Sequence, residues 1–265
     1  MELAARAREV ADAWDDSAAA ASWRQGFYPM ADAVEPPAGG FRTDADQKAY
    51  HAKSFVLDGV IPSVALGEGT VHWHDGTRLK RPLISAHTAW TQLDQSSGSG
   101  PHLTVKKIKL GEMEVNTSRG LAVVPAWLFT LNGYANPLRR IAITPSALPT
   151  PPLSPLPAER AAGTRQANRL VRAPKDMHRN ITVAVTRGAC ERQPTAAALE
   201  TRQSIVVMIS TLSASKSADP CSSEAYEERI NIRLSKPIGE RILLDAVTGR
   251  PVPYGQTQDE SPTWS

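Results

Sequence analysis

The sequence predicts an α+β fold: mainly antiparallel β-sheet with an N-terminal helix, its β-rich units joined by a proline-rich segment. Three observations lead there. Apolar residues recur at helical spacing near the N-terminus. From Ser54 onward the period falls towards two, with turn residues between the runs. Prolines at 145, 149, 151, 152, 155 and 157 then interrupt both patterns, a density that favours extended, polyproline-like chain.

In chain order, Leu3, Ala7, Val10 and Trp14 stand at spacings of four, three and four, which predicts one amphipathic helix over 3–25 stopped by Gly26. Thr43 or Asp44 caps a short helix over 44–53. Ser54 to Leu57 reads as a strand before the Asp58-Gly59 turn signal. Thr70 to His74 and Thr77 to Ile84 read as a hairpin, because Asp75-Gly76 tolerates positive φ. A helix is expected over 86–93, and then strands over 103–110, 112–116, 121–131 and 138–143, with Thr117-Ser118-Arg119-Gly120 as the tightest turn. Pro125 is expected at an edge or bulge, since it has no N–H for a ladder bond. Trp127 and Phe129 share a face opposite Leu128, which suits a strand central in its sheet. Further strands are expected over 180–186, 204–212, 227–234 and 241–245, and residues 255–265 should fray. The expected organisation is residues 1–144 as a helix plus β-meander unit, 145–165 as connector and 166–265 as a second β-rich unit.

A chain of 265 residues, 41% hydrophobic and 22% charged, buries a core without needing disulfides to fold. Its 30 basic and 27 acidic residues are interspersed, for a net charge of +3, which is too mixed for a nucleic-acid footprint. The basic runs Lys106-Lys107-Ile108-Lys109 and Leu138-Arg139-Arg140 read as solvated strand faces. No stretch approaches the roughly 18–20 apolar residues of a spanning helix, so no membrane span is expected. Met1 to Arg6 lacks the basic and apolar regions of a signal peptide, leaving a cytoplasmic protein or one whose export segment has been removed.

His72-Trp73-His74 is the most metal-like feature, since residues two apart on a strand put both imidazoles on one face. A zinc site needs a third and usually a fourth ligand, for which His51, His87, His102 and Asp75 are available without diagnostic spacing. Ser213-Ala214-Ser215-Lys216 has the S-x-x-K spacing but lies in turn-rich sequence with no K-T-G partner. Nucleotide-binding, zincin and serine-hydrolase signatures do not occur, and no cofactor is implied. Asp15-Asp16 and Glu227-Glu228 are adjacent carboxylates that point apart in helix or strand and form no acid/base couple. Cys190 and Cys221 lie in turn-like sequence at strand ends, where they form a disulfide or remain two buried thiols. Closing that loop stabilises by about 3–4 kcal/mol in the chain-entropy model, and a persistent bridge implies an oxidising compartment.

Ala11-Asp12-Ala13-Trp14, Tyr28-Pro29-Met30, Thr117 to Gly120, Val124-Pro125-Ala126-Trp127-Leu128-Phe129-Thr130-Leu131 and Leu244 to Val252 together resemble segments of actinomycete secreted, lipoprotein-like proteins of unknown function. The resemblance spans most of the chain. It implies export, often with a lipid-anchored precursor, and fits a Cys190–Cys221 bridge, although no lipobox cysteine stands near the N-terminus here. The functional expectation is a non-enzymatic, extracytoplasmic cell-envelope protein that binds a protein, peptide or glycan. The alternative is an extracytoplasmic hydrolase built around His72 and His74, with Asp75 nearby.

Overall fold

The computed structural model describes residues 2–63, 67–96, 100–171, 179–211 and 224–253. The first half carries α1 (Glu2–Trp14), α2 (Ala18–Gln25), β1 (Val34–Glu35), α3 (Asp44–His51), β2 (Phe55–Leu57), β3 (Glu68–Trp73), β4 (Arg78–Pro82), α4 (Ala86–Leu93), β5 (Leu103–Thr117), β6 (Gly120–Leu131) and β7 (Leu138–Ile141). The second carries β8 (Thr164–Arg165), β9 (Arg169–Leu170), β10 (Asn180–Gly188), β11 (Thr195–Glu200), β12 (Ser204–Ser210), β13 (Ala225–Arg233) and β14 (Ile242–Asp245). The protein is β-rich and its strand pairs are mainly antiparallel, with β2–β5 and β12–β14 parallel. No helix among the described residues is long and apolar enough to cross a membrane.

The chain forms two compact units, one joining Met1–Ala31 to Ala147–Ser265 and the other comprising Asp32–Ser146. This differs from the division into 1–144 and 166–265 read from the sequence, and the reason is where the first helices bury their apolar faces. Ala7, Val10, Ala11 and Trp14 of α1, with Ala19, Ala20 and Trp23 of α2, share a core with Val206 of β12 and Ile242 and Leu244 of β14. The opposite faces of those strands, Ile205, Val207, Ile209 and Leu243, pack with Val183, Val185 and Ile232 of β10 and β13. The run Ser-Ile-Val-Val-Met-Ile-Ser is thus apolar on both faces because each face meets its own layer.

The single helix expected over 3–25 is two helices. Asp16 adopts a left-handed φ of 61°, which Asp tolerates better than most residues. Ser17 then caps α2, its hydroxyl accepting from Ala20 N at 3.0 Å.

The helical layer is fastened by the turn after β14. Asp245 is buried at 2% exposure. One carboxylate oxygen accepts from Ala167 N at 2.8 Å, and the other from Val247 N at 3.0 Å and Thr248 N at 2.7 Å. Gly249 closes the turn with a φ of 66°, a value that favours glycine. The turn exposes its carbonyls to α1: Trp14 Nε1 donates to Gly249 O at 2.7 Å and Arg6 Nε to Ala246 O at 3.2 Å. Arg6 also donates to Ser154 O at 2.5 Å, so the proline-rich stretch is held on this unit. Tyr28, stacked on Trp23 at 4.6 Å, donates to Ala147 O at 3.1 Å.

In the second unit the sheet order is β1-β7-β6-β3-β4, with β5 pairing β6 and β2. The strands expected over 103–110 and 112–116 are one, β5, which runs through Gly111. A Cβ there would meet Leu128 Cδ1 at 2.6 Å, so glycine permits the cross-strand approach rather than a break. The β5–β6 hairpin buries different faces along its length. Near its base Val105, Ile108, Trp127, Phe129 and Leu131 join Ala86, Ala89 and Leu93 of α4, whereas Met113, Val115, Ala122 and Val124 are buried nearer the tip. Pro125 lies in central β6, not at an edge: β3 pairs with Ala122 and Val123, and β7 with residues from Ala126 onward, so the proline falls where one neighbour gives way to the next. Of the basic runs, Lys106, Lys107 and Lys109 are exposed, but Arg140 is buried and donates to Gln92 Oε1 at 2.9 Å.

Burial pushes the Asp245 carboxyl above its ordinary 3.8, against the backbone donors that favour the charged form. Its protonation therefore adds stability that is complete below 3.8 and is lost as pH rises through the folded value. Measured by urea unfolding, the wild type is expected to gain stability relative to Asp245→Asn as pH falls from about 7 to about 4; a pH-independent difference would contradict the assignment. Asp245→Ala orphans three N–H donors, that of Ala167 buried and those of Val247 and Thr248 part-buried, and is expected to cost about 3 kcal/mol.

Candidate functional site

The His72-Trp73-His74 strand ends in a turn ordered by Asp75, whose carboxylate accepts from Thr77 N at 2.8 Å and Thr77 Oγ1 at 2.6 Å. The bonds from Thr77 hold the Asp75 carboxyl below its ordinary value. Trp73 points inward, its Nε1 donating to Thr117 Oγ1 at 2.9 Å with the Arg119 guanidinium 3.8 Å over its ring. His72 and His74 therefore face outward, and both are exposed. His74 Nε2 lies 3.5 Å from a Glu114 oxygen. Among the described residues no group of three or more His, Cys, Asp or Glu side chains is placed to hold a metal ion. The histidine pair thus reaches the surface with Glu114 beside His74 alone, and Asp75 is committed to its own turn.

The adjacent carboxylates Glu227 and Glu228 point apart, as strand geometry requires, and each meets an arginine at 2.8 Å: Glu227 pairs with Arg169 and Glu228 with Arg187. Cys190 sits half-buried in the turn after β10. Cys221 lies outside the described residues, as do Ser213, Lys216 and the tail 255–265, so the disulfide and the S-x-x-K reading lie outside them too.

A different site, within the unit that contains both chain ends, was not foreseen from the sequence. A cleft of about 570 Å³ is lined by Arg24 from the last turn of α2, by the Thr201-Arg202-Gln203 turn between β11 and β12, and by the 236–241 loop before β14. Each wall is fixed by its own hydrogen bonds. Thr201 Oγ1 accepts from Gln203 N at 3.1 Å and Ser204 N at 2.9 Å, which sets the turn with Arg202 exposed at its tip. Arg24 donates to Gln203 O at 3.3 Å.

The opposite wall depends on one ion pair. Arg241 meets Glu200 at 2.8 Å, with side chains only 9% and 17% exposed. Glu200 also accepts from Ser235 N at 2.6 Å, while Arg241 donates to Lys236 O at 3.0 Å, Pro237 O at 2.6 Å and Ile238 O at 3.1 Å. A carboxylate at the end of β11 and a guanidinium before β14 thus clamp the loop from inside, leaving the Lys236 and Glu240 side chains outside. Burial alone would raise the Glu200 carboxyl, but the bonds from Ser235, Arg241 and Lys236 outweigh it and hold the group below its ordinary 4.5.

No family model, curated protein or solved structure matches the chain. No short motif marks the cleft, because its residues come from three segments and its signal is their convergence.

Arg241→Ala leaves Glu200 partly buried without its counter-charge and is expected to cost about 2 kcal/mol, less than a fully buried pair because water reaches both groups. The depressed Glu200 carboxyl contributes stability that is present above 4.5 and lost as pH falls through its folded value. Comparing unfolding midpoints of wild type and Arg241→Ala between about pH 6 and about pH 3 should show the gap narrowing on acidification; a constant or widening gap would contradict the clamp.

Proposed function

We propose that the protein is an extracytoplasmic, cell-envelope protein that binds a peptide, protein or glycan through the cleft of the unit formed by both chain ends, without catalysing a reaction. The observation that carries this reading is the cleft itself, an open depression with preorganised walls and charged side chains presented at its rim. Preorganised walls favour recognition, because binding then loses little conformational entropy in ordering them. The carboxylates with shifted pKa have structural duties: Asp75 orders a hairpin turn, Glu200 clamps the cleft wall and Asp245 holds the turn under α1.

Extracytoplasmic placement rests on the resemblance to exported actinomycete proteins, whose precursors are often lipid-anchored, and on the proposed Cys190–Cys221 bridge. The β10–β13 ladder ends at Gly188 opposite Ala225, and Ala189 N continues it to Glu224 O at 3.1 Å. Cys190 follows Ala189 directly, and Glu224 stands three residues after Cys221 in sequence. Three residues of chain span at most about 11 Å, and this closeness in sequence to the Ala189–Glu224 pair supports the proposed bridge.

Intact mass after alkylation under denaturing conditions tests the bridge. Two alkylations appearing only after reduction, with no dimer mass, are expected; two without reduction would remove the argument for an oxidising compartment. The binding reading is tested by co-sedimentation of the folded protein with washed, insoluble envelope material from its own source cells. Saturable retention is expected, and recovery entirely in the supernatant would overturn it.

A further inference from the structure

We infer that the cleft recognises successive phosphate groups on a polyanionic chain. This inference rests on the binding reading and names the chemistry of its ligand. Four cationic side chains, Arg24, Arg202, Lys236 and Arg241, line the cleft with one lining carboxylate, Glu240. Arg241 is neutralised by Glu200 and serves as the clamp. Arg24, Arg202 and Lys236 remain to face a ligand. Among the described residues no carboxylate pairs with Arg202 or Lys236, and both are exposed.

Their placement points to a chain of charges rather than one buried anion. The three cations come from separate walls, α2, the β11–β12 turn and the 236–241 loop, and surround an open cleft of about 570 Å³. Phosphates spaced along a flexible polymer can engage several walls together and gain from each contact. The planar donor forks of Arg24 and Arg202 match phosphate oxygens in a way that a row of lysines does not. The cations are also held ready, since Arg202 rides on a turn set by Thr201 and Lys236 on a loop fixed by Glu200 and Arg241.

The test is calorimetric titration of the full chain with poly(glycerol phosphate) and, separately, with inorganic polyphosphate, at low and moderate salt. In Arg202→Ala/Lys236→Ala, affinity for the polymer that binds should fall at least about tenfold and the salt dependence should lessen by about one unit of slope per cation removed. Lys107→Ala/Lys109→Ala removes the same charge from exposed positions in the other unit and should change affinity less than about twofold. Unchanged melting temperatures in both variants confirm that folding is intact. Binding confined to poly(glycerol phosphate) assigns an envelope glycopolymer, and binding confined to polyphosphate assigns a free phosphate chain. Equal weakening by both double variants, no binding of either polymer, or tighter binding of polyglutamate than of both would overturn the inference. Envelope co-sedimentation that survives Arg202→Ala/Lys236→Ala would overturn the phosphate assignment alone; phosphate binding without co-sedimentation would overturn the envelope reading alone.

Discussion

The Asp245 carboxylate turns a strand end into a socket. By accepting from Ala167, Val247 and Thr248 it fixes a turn whose Ala246 and Gly249 carbonyls project to Arg6 and Trp14, more than 230 residues away in sequence. Those bonds are directional and buried, so they select one seating of α1 where apolar contact alone would allow several. With α1 seated, Val206, Ile242 and Leu244 lose water from the face that the second sheet does not cover. Burying a carboxylate costs free energy at neutral pH, and here the cost accompanies a unique attachment for the helical layer.

The same layering explains the cleft. With β12 and β14 buried on both faces, functional groups project from their ends: the turn leading into β12 carries Arg202, and the loop leading into β14 carries Lys236 and Arg241. β12 and β14 run parallel, with Ser204 opposite Ile242, so the two strands begin at the same end of the sheet and bring the turn and the loop together. α2 brings Arg24 there because its apolar side packs with the β12–β14 face. The rigid part of the unit thus positions a surface made of turns, as is usual for binding sites.

Much of the local structure was legible in the residues. Asp75-Gly76 and Thr117 to Gly120 turn as their chemistry demands, Thr43 caps the short helix α3, and Trp127 and Phe129 enter the core together. The expectations that missed did so where distant partners overrule local preference. Thr-Ala-Ala-Ala-Leu-Glu has little strand character, yet it forms β11 by pairing throughout with β12. Gly111 resembles a break until the Leu128 side chain of the facing strand is seen to pack against it. Leu-Asp-Ala-Val-Thr-Gly-Arg-Pro stood out only as part of a resemblance, and its purpose as a socket depends on helix α1 at the other end of the chain. The cleft could not be read at all, because Glu200 and Arg241 are ordinary surface residue types until folding buries them against each other.

Native-state hydrogen exchange tests the central claim most directly, that both chain ends form one cooperative body through this turn. Amides of Val10, Ala11 and Trp14 in α1 should exchange through the same opening as those of Val206 and Leu244, with the same free energy and denaturant dependence. Exchange of α1 through a separate, lower-energy opening while β12 and β14 remain protected would contradict it, leaving the helix a peripheral attachment.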